Sequence, residues 1–335
     1  MTAAPTVAVV VCAYTERRWD DLLSAYRSLL TQTRTPDEIV VVIDHNPDLL
    51  ARFAAAEPAA TVIANTGDKG LSGARNTGVA ATRADVVMFL DDDAVASPGW
   101  LAALMAPLDE PAVLGVAGWA DPDWGPQGGP DWFPAPFLWV VGCSYEGLPT
   151  TPQDVRNPLG CAMGFRRTAM DLVGGFSGSV GRVGTHPVGC EETEFSIRLR
   201  QLEPTTRIVM VPEAVVRHRV SSDRHTPRYF FSRCYWEGVS KAVVSSAVGS
   251  QDALESERAY TTKVLPRAFG RGLADLFRGR PAGLLRSAAI VAGLFCTTAG
   301  FLRGRVAKVS TTARPHLEVV PAAPVSVTER RETAA

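Results

Sequence analysis

Three consecutive carboxylates, Asp91-Asp92-Asp93, stand directly after the apolar run at residues 86–90. Adjacent carboxylates repel one another at neutral pH unless a cation neutralises them, and hard divalent ions such as Mg²⁺ or Mn²⁺ prefer oxygen ligands. A metal ion carrying a diphosphate suits that chemistry. In isolation the tripeptide would equally suit a solvated turn capping the next helix, with Pro98 in its first turn. Its surroundings favour the first reading. Asp44 closes the run 39–43 and Ala13-Tyr14-Thr15 follows the run 7–11, so three strand ends would present polar groups along one edge, across which a nucleotide could lie. Between them, residues 65–78 combine Gly67, Gly70 and Gly73 with Lys69 and Arg75. Glycines allow close backbone approach, and a helix starting there would point N–H groups at an anion. The Gly-Lys-Ser/Thr ending of a Walker loop is absent, and a plain turn entering a helix is the competing reading of this loop.

For these groups to meet, the runs before them must lie side by side. Residues 7–11, 39–43 and 86–90 are continuous apolar stretches separated by helical spacing, as in Leu22, Leu23, Tyr26, Leu29 and Leu30. That alternation implies a parallel sheet covered on both faces. A further run at 61–64 precedes a helix-compatible stretch at 74–82, so residues 5–118 read as repeated βα units of a Rossmann-like half, with ligands expected at the carboxyl ends of its strands.

Residues 119–158 interleave Trp119, Trp124, Trp132 and Trp139 with prolines. They read as a long functional loop whose aromatic faces suit sugars, or as tryptophans packed beneath a loop. Helical spacing returns at 191–201, apolar runs at 208–211 and 215–216 lead to His218, and helices are expected over about 228–247 and 251–277. Sixteen uncharged residues, 287–302, lie between Arg286 and the pair Arg303 and Arg305. A span wants about 20 apolar residues, so an interfacial helix, a short tilted span or a helix docked on the protein all fit. The expected organisation is a catalytic unit over 1–250, divided at 118/119, a basic helical extension over 251–309, and a disordered tail over 310–335.

The chain has 335 residues, 46% hydrophobic and 21% charged, which excludes a disordered, collagenous or small disulfide-scaffold protein. A net charge of −1 argues against a nucleic-acid-coating protein and predicts no nucleic-acid partner. The charge is unevenly spread. Residues 1–110 hold eight Lys and Arg against fifteen Asp and Glu, whereas residues 258–314 hold eleven Lys and Arg against Asp275 alone. The basic end suits an anionic membrane surface. Six cysteines without metal-type or redox-type pair spacing imply reduced thiols, and the apolar run at 7–12 is too short for a secretory signal. The expected location is the cytoplasm, at the inner face of the cell membrane.

In order along the chain, Val9-Val10-Val11-Cys12-Ala13-Tyr14-Thr15, Glu38–Ile43 with Asp44, Gly73-Ala74-Arg75-Asn76-Thr77-Gly78, Phe89-Leu90-Asp91-Asp92-Asp93, residues 160–167, Val173-Gly174-Gly175-Phe176 and residues 189–195 resemble glycosyltransferase family 2. Each piece is weak and the ordered combination is specific. Within that family the chain resembles glucosyl-dolichyl-phosphate glucuronosyltransferase-like proteins of actinobacteria and archaea. The resemblance implies an α/β GT-A fold, a mixed sheet covered by helices with a C-terminal helical extension, and inverting transfer from a UDP-sugar or related nucleotide sugar with Mg²⁺ or Mn²⁺. The acceptor it implies is a hydroxyl on a glycan or polyprenyl-linked sugar.

The resemblance also assigns residues. Thr15, Asp44, Lys69, Arg75, Asp91 and Asp92 fall to the nucleotide sugar, with Asp44 on the uracil or ribose. Asp93, Asp91 and His218 fall to the metal. Glu192 takes the catalytic-base position, as the second acid of a pair that is usually Glu-Asp, with Glu191 as the fallback. Acids in the first turn of a helix also stabilise its dipole without any catalytic role, and His218 could be a hydrogen-bonded histidine at a strand end. Arg156, Arg182 and Arg217 are candidate partners for a glucuronate carboxylate, and the loop 174–189 is a candidate acceptor wall. Two other classes fit parts of the pattern: a sugar nucleotidyltransferase, which has no use for Glu191-Glu192, and an inactive carbohydrate-binding or scaffold protein of the same fold.

Overall fold

The computed structural model describes residues 4–178, 190–249 and 255–306. The expected tail at 310–335, Arg182, and the loop 174–189 beyond residue 178 lie outside them. The strands are β1 (Val7–Ala13), β2 (Glu38–Ile43), β3 (Thr61–Ala64), β4 (Val86–Asp91), β5 (Ala94–Ala96), β6 (Val113–Asp123), β7 (Gln153–Asp154), β8 (Ala162–Arg166) and β9 (Arg207–Arg219). They form one sheet in the order β3-β2-β1-β4-β8-β6-β9-β5, with β7 also on β9.

The four strands β3-β2-β1-β4 are parallel, as the apolar runs imply. Side chains alternate between faces along a strand. Val9 and Val11 accordingly pack with Leu22, Tyr26 and Leu29 of α1 (Trp19–Leu30) and Phe53 of α2 (Pro47–Ala56). Val10 faces the opposite side, toward Ala74 of α3 (Leu71–Ala81) and Phe195. α4 (Trp100–Met105) shares the first face and α5 (Arg167–Val173) the second. β8 enters antiparallel between β4 and β6 and makes the sheet mixed.

β9 is parallel to β6, and its other edge pairs antiparallel with β5, setting Ala94 opposite His218. The Arg219 amide also donates to the Asp93 carbonyl at 2.8 Å. This pairing carries a histidine 125 residues away in sequence onto the acidic turn that follows β4.

The segment 119–158 is more ordered than a long loop. β6 continues to Asp123 because its last five residues keep their ladder with Val215–Arg219 of β9, and residues Ala135–Val141 form a 3₁₀ helix. Trp124 packs edge-on with Phe133, Trp132 lies tilted against it, and Phe133 meets Phe230 edge-on, so these half-buried tryptophans pack against the core.

The remaining helices are α6 (Glu191–Leu202), α7 (Pro227–Val248), α8 (Glu255–Ala259), α9 (Leu265–Phe277) and α10 (Ala282–Val306). The single helix expected over 251–277 is interrupted within the described residues by a π turn at Tyr260–Val264. Pro266 follows that turn and has no N–H to donate to the preceding one, which breaks the regular helical ladder there. The uncharged stretch 287–302 lies inside the longer α10, of 25 residues. All six cysteines are free thiols.

Candidate active site

Asp91 closes β4, and the short turn through Asp92 and Asp93 runs straight into β5. Asp91, Asp93 and His218 each offer one ligand atom, and these atoms lie within 4.8 Å of one another. Asp93 Oδ2 is 3.0 Å from Arg18 Nη1 and 3.8 Å from Arg224 Nη2. His218 Nε2 lies 3.2 Å from Asp93 Oδ1, yet that buried oxygen accepts no hydrogen bond. Burial opposes the charge of Asp93, but His218, Arg18 and Arg224 outweigh it and hold the carboxyl well below its usual range. His218 is likewise buried against its charge and is held well above its usual value by Asp93.

Asp92 accepts a hydrogen bond from Arg18 at 2.7 Å and keeps Oδ2 without one. Burial, with help from Asp93, pushes its carboxyl up to about 7. Two carboxylates and an imidazole with an orphaned buried oxygen between them fit a hard divalent cation such as Mg²⁺ or Mn²⁺.

The glycine loop earns its composition locally. Gly70 has φ of 129°, and a Cβ on Gly73 would collide with the Asp68 carbonyl. The turn it makes starts α3 and aims Arg75 into the interior, where it is 2% exposed. Arg75 donates to Glu191 Oε1 at 2.8 Å, to the Gly160 carbonyl at 2.8 Å and to Asp91 Oδ1 at 3.3 Å. One guanidinium thus ties the metal-side aspartate to the first turn of α6. Glu191 is held by that bond, whereas Glu192 sits half-buried on the cleft. Burial and the neighbouring Glu191 push Glu192 up to about 8, near neutral pH where a general base works best. Cys190, with φ of 79°, delivers the chain into this first turn.

Arg75, Asp91, Asp93, Glu191, Glu192 and His218 line one cleft of about 920 Å³. Arg18 and Arg224 line it too. Neither was marked by the sequence: Arg18 reaches Asp92 from 74 residues away, and Arg224 sits on a 3₁₀ turn after β9, so no local spacing points to either. Thr15 and Asp44 lie farther along the same sheet edge. Thr15 accepts from the Arg17 amide at 3.4 Å. Asp44 is buried and accepts from Asn65 at 2.7 Å and from the Gly70 amide at 3.0 Å, with His45 Nδ1 at 2.8 Å, so it braces the glycine loop. Lys69 is exposed.

On the far wall, Trp139 is the one of the four tryptophans that lines the cleft, and its indole N–H donates to Tyr260 at 3.1 Å. Arg156 lines that wall and pairs with Glu257 at 2.9 Å, which also takes Lys241 at 2.7 Å. Burial works against the charge of Glu257, but Lys241 and Arg156 bring its carboxyl down to about 2. Arg217 is exposed on β9, away from the cleft.

The model of glycosyl transferase family 2 matches residues 8–174. Glucosyl-dolichyl phosphate glucuronosyltransferase of Haloferax volcanii is 32% identical over 243 residues, 71% of this chain and 77% of that protein. Among solved structures, a mannosyltransferase of Pyrobaculum calidifontis in complex with GDP-Man and Mn²⁺ is similar with a TM-score of 0.54 at 17% identity, covering 88% of each chain. GalNAc-T7 with UDP, GalNAc and Mn²⁺ is similar with a TM-score of 0.52 at 18% identity, over 77% of this chain and 55% of that one. These two likenesses establish the GT-A fold, and the Haloferax relative, matched over more than two thirds of its length, establishes the family: the chain is a glycosyltransferase of family 2.

Proposed function

We propose that this enzyme transfers a sugar, with inversion, from a UDP-sugar to a hydroxyl of a lipid-linked or cell-envelope glycan, using Glu192 as the base. The observation that carries the reading is the Arg75 bridge, which fixes Glu191 beside Asp91 and leaves Glu192 facing the same cleft. Asp91, Asp93 and His218 would hold Mg²⁺ or Mn²⁺. When bound, the ion neutralises charge that develops on the leaving diphosphate. Glu192 accepts the proton of the acceptor hydroxyl as its oxygen bonds to the anomeric carbon and the bond from that carbon to the diphosphate breaks. Arg18 and Arg224, within reach of Asp93, add positive charge on the leaving-group side of the cleft.

The name of the Haloferax relative supports a glucuronate donor and a polyprenyl-phosphate-linked sugar as acceptor. Of the three arginines considered for a hexuronate carboxylate, Arg156 lines the cleft, where such a carboxylate would share it with Glu257. Free thiols throughout the chain suit a reducing compartment and support the cytoplasmic side of the membrane. The test is a donor panel, UDP-glucuronate and UDP-glucose included, incubated with Mn²⁺ and membrane lipid extract and scored for UDP release and a new glycolipid. Release of pyrophosphate instead of UDP would make the protein a nucleotidyltransferase, and no UDP binding in the presence of Mn²⁺ would make it a scaffold.

A further inference from the structure

Nine of the thirteen large apolar side chains left exposed among the described residues fall within 276–306, with Phe277 at 89% and Phe295 at 73%. On α10 they are not scattered. Leu284, Ala288, Val291, Phe295, Thr298 and Leu302 are all exposed and follow one another in steps of four and three, which makes one stripe down the helix, about 27 Å long at 1.5 Å per residue. The opposite side of the helix is small and packed. A Cβ on Gly283 would strike the Gly272 carbonyl of α9, and one on Gly300 the Tyr235 carbonyl of α7. α10 therefore presses its glycine face against the protein and turns a leucine, valine and phenylalanine face away from it.

We propose that this outward face is the surface by which the protein lies on an anionic lipid bilayer, with α10 parallel to the membrane plane. Arg278 and Arg280 stand exposed at one end of the stripe and Arg303 and Arg305 at the other. Asp275 is the one acid among residues 258–306, against nine Lys and Arg, and it is engaged by Arg286 at 2.8 Å. Apolar side chains flanked by arginines suit the boundary between acyl chains and anionic headgroups. The same charges disfavour a second copy as the occupant, since two antiparallel stripes would bring Arg278 and Arg280 against Arg303 and Arg305. By length and composition α10 could cross a membrane, with a mean hydropathy of 1.5 over 18 residues. Its packing disfavours that: α10 runs along α7, and a span would draw Arg233, Glu237 and Lys241 of α7 toward hydrocarbon.

Leu294 and Thr298 are exposed on α10 and also line the cleft, so the far wall of the cleft continues directly into the docking face. An acceptor anchored in the bilayer would then reach Glu192 without leaving the surface. The docking itself does not depend on the reaction proposed above and is tested without it.

The experiment is flotation of the full chain with vesicles of phosphatidylcholine alone or mixed with phosphatidylglycerol, across a salt series. The expected result is binding to the mixed vesicles that weakens with salt, falls at least about tenfold in Leu284→Glu/Phe295→Glu, and loses its preference for phosphatidylglycerol in Arg303→Gln/Arg305→Gln. Unchanged melting temperature and UDP binding in both variants will show that they fold. Equal flotation of wild type and the glutamate variant would overturn the proposal. So would a wild-type dimer in light scattering that the glutamate variant dissolves while neither protein binds vesicles, or membrane association that resists carbonate extraction, the mark of a span.

Discussion

Replacing Glu192 by Gln separates the chemistry of this site from its stability, because the two respond in opposite directions. A positioned general base contributes about 10²–10⁴-fold to rate, or about 2.7–5.4 kcal/mol of transition-state stabilisation. Glu192→Gln should lower kcat/KM by that factor with a sugar-hydroxyl acceptor. In the wild type, a base titrating at about 8 gives a kcat/KM that rises with pH, is half-maximal near that value and levels off above it, and the variant should lose this limb altogether. Stability runs the other way. The carboxyl is raised from 4.5 to about 8, so between those values the folded protein keeps a proton that the unfolded chain has released. By linkage, the contribution of Glu192 to stability must fall as pH rises through that window. An amide has no proton to lose, so the melting temperature of Glu192→Gln should equal or exceed that of the wild type, and the gap should widen from pH 5 to pH 8. The assays are steady-state UDP release across pH and thermal unfolding in the same buffers. A variant keeping a tenth or more of wild-type kcat/KM would refute the base assignment, and one that loses activity together with melting temperature would show a structural role instead.

Arg75→Met should cost about 3–5 kcal/mol in urea unfolding, because it strands Glu191, a carboxylate whose side chain is 6% exposed, without its partner. His218→Ala should weaken Mn²⁺ binding more than about tenfold, read from the electron paramagnetic resonance signal of free Mn²⁺, while UDP binding without metal stays as in the wild type. Gly300→Val should destabilise the protein by about 1–3 kcal/mol, since any Cβ there meets the Tyr235 carbonyl, and should raise amide exchange along α10 before it does so in the sheet.

What could be read from the sequence was whatever one stretch of chain determines alone. Apolar runs closed by Asp44 and by Asp91 are strands ending in acids, because only a strand covered on both faces tolerates so continuous an apolar stretch. The break at Tyr260–Val264 was open to the same local reasoning through Pro266 but was hidden by helical spacing on either side. The tryptophans stayed ambiguous because composition does not say which aromatic faces inward: Trp124 and Trp132 turn to Phe133, while Trp139 turns to the cleft. Which acids the cations meet was beyond local reading altogether. Arg75 reaches Glu191 across 116 residues, and Arg18 reaches Asp92 across 74.

Those long-range cations change the meaning of the acids gathered at the site, three of which belong to the acidic excess of residues 1–110. Asp91, Asp92, Asp93, Glu191 and Glu192 suggest a strongly negative pocket that draws metal by charge alone. In the fold, Arg18, Arg75, Arg224 and His218 stand against them, and burial holds Asp92 near 7 and Glu192 near 8. Around neutral pH these two carboxyls are substantially protonated, so the pocket carries little net negative charge. A bare divalent ion should therefore bind weakly and a metal–diphosphate pair well, since the arginines that compete with the ion for Asp93 are the groups that welcome its phosphates. Calorimetry should accordingly show Mn²⁺ and UDP each strengthening the binding of the other, and additive, independent binding would contradict this electrostatic account of the site.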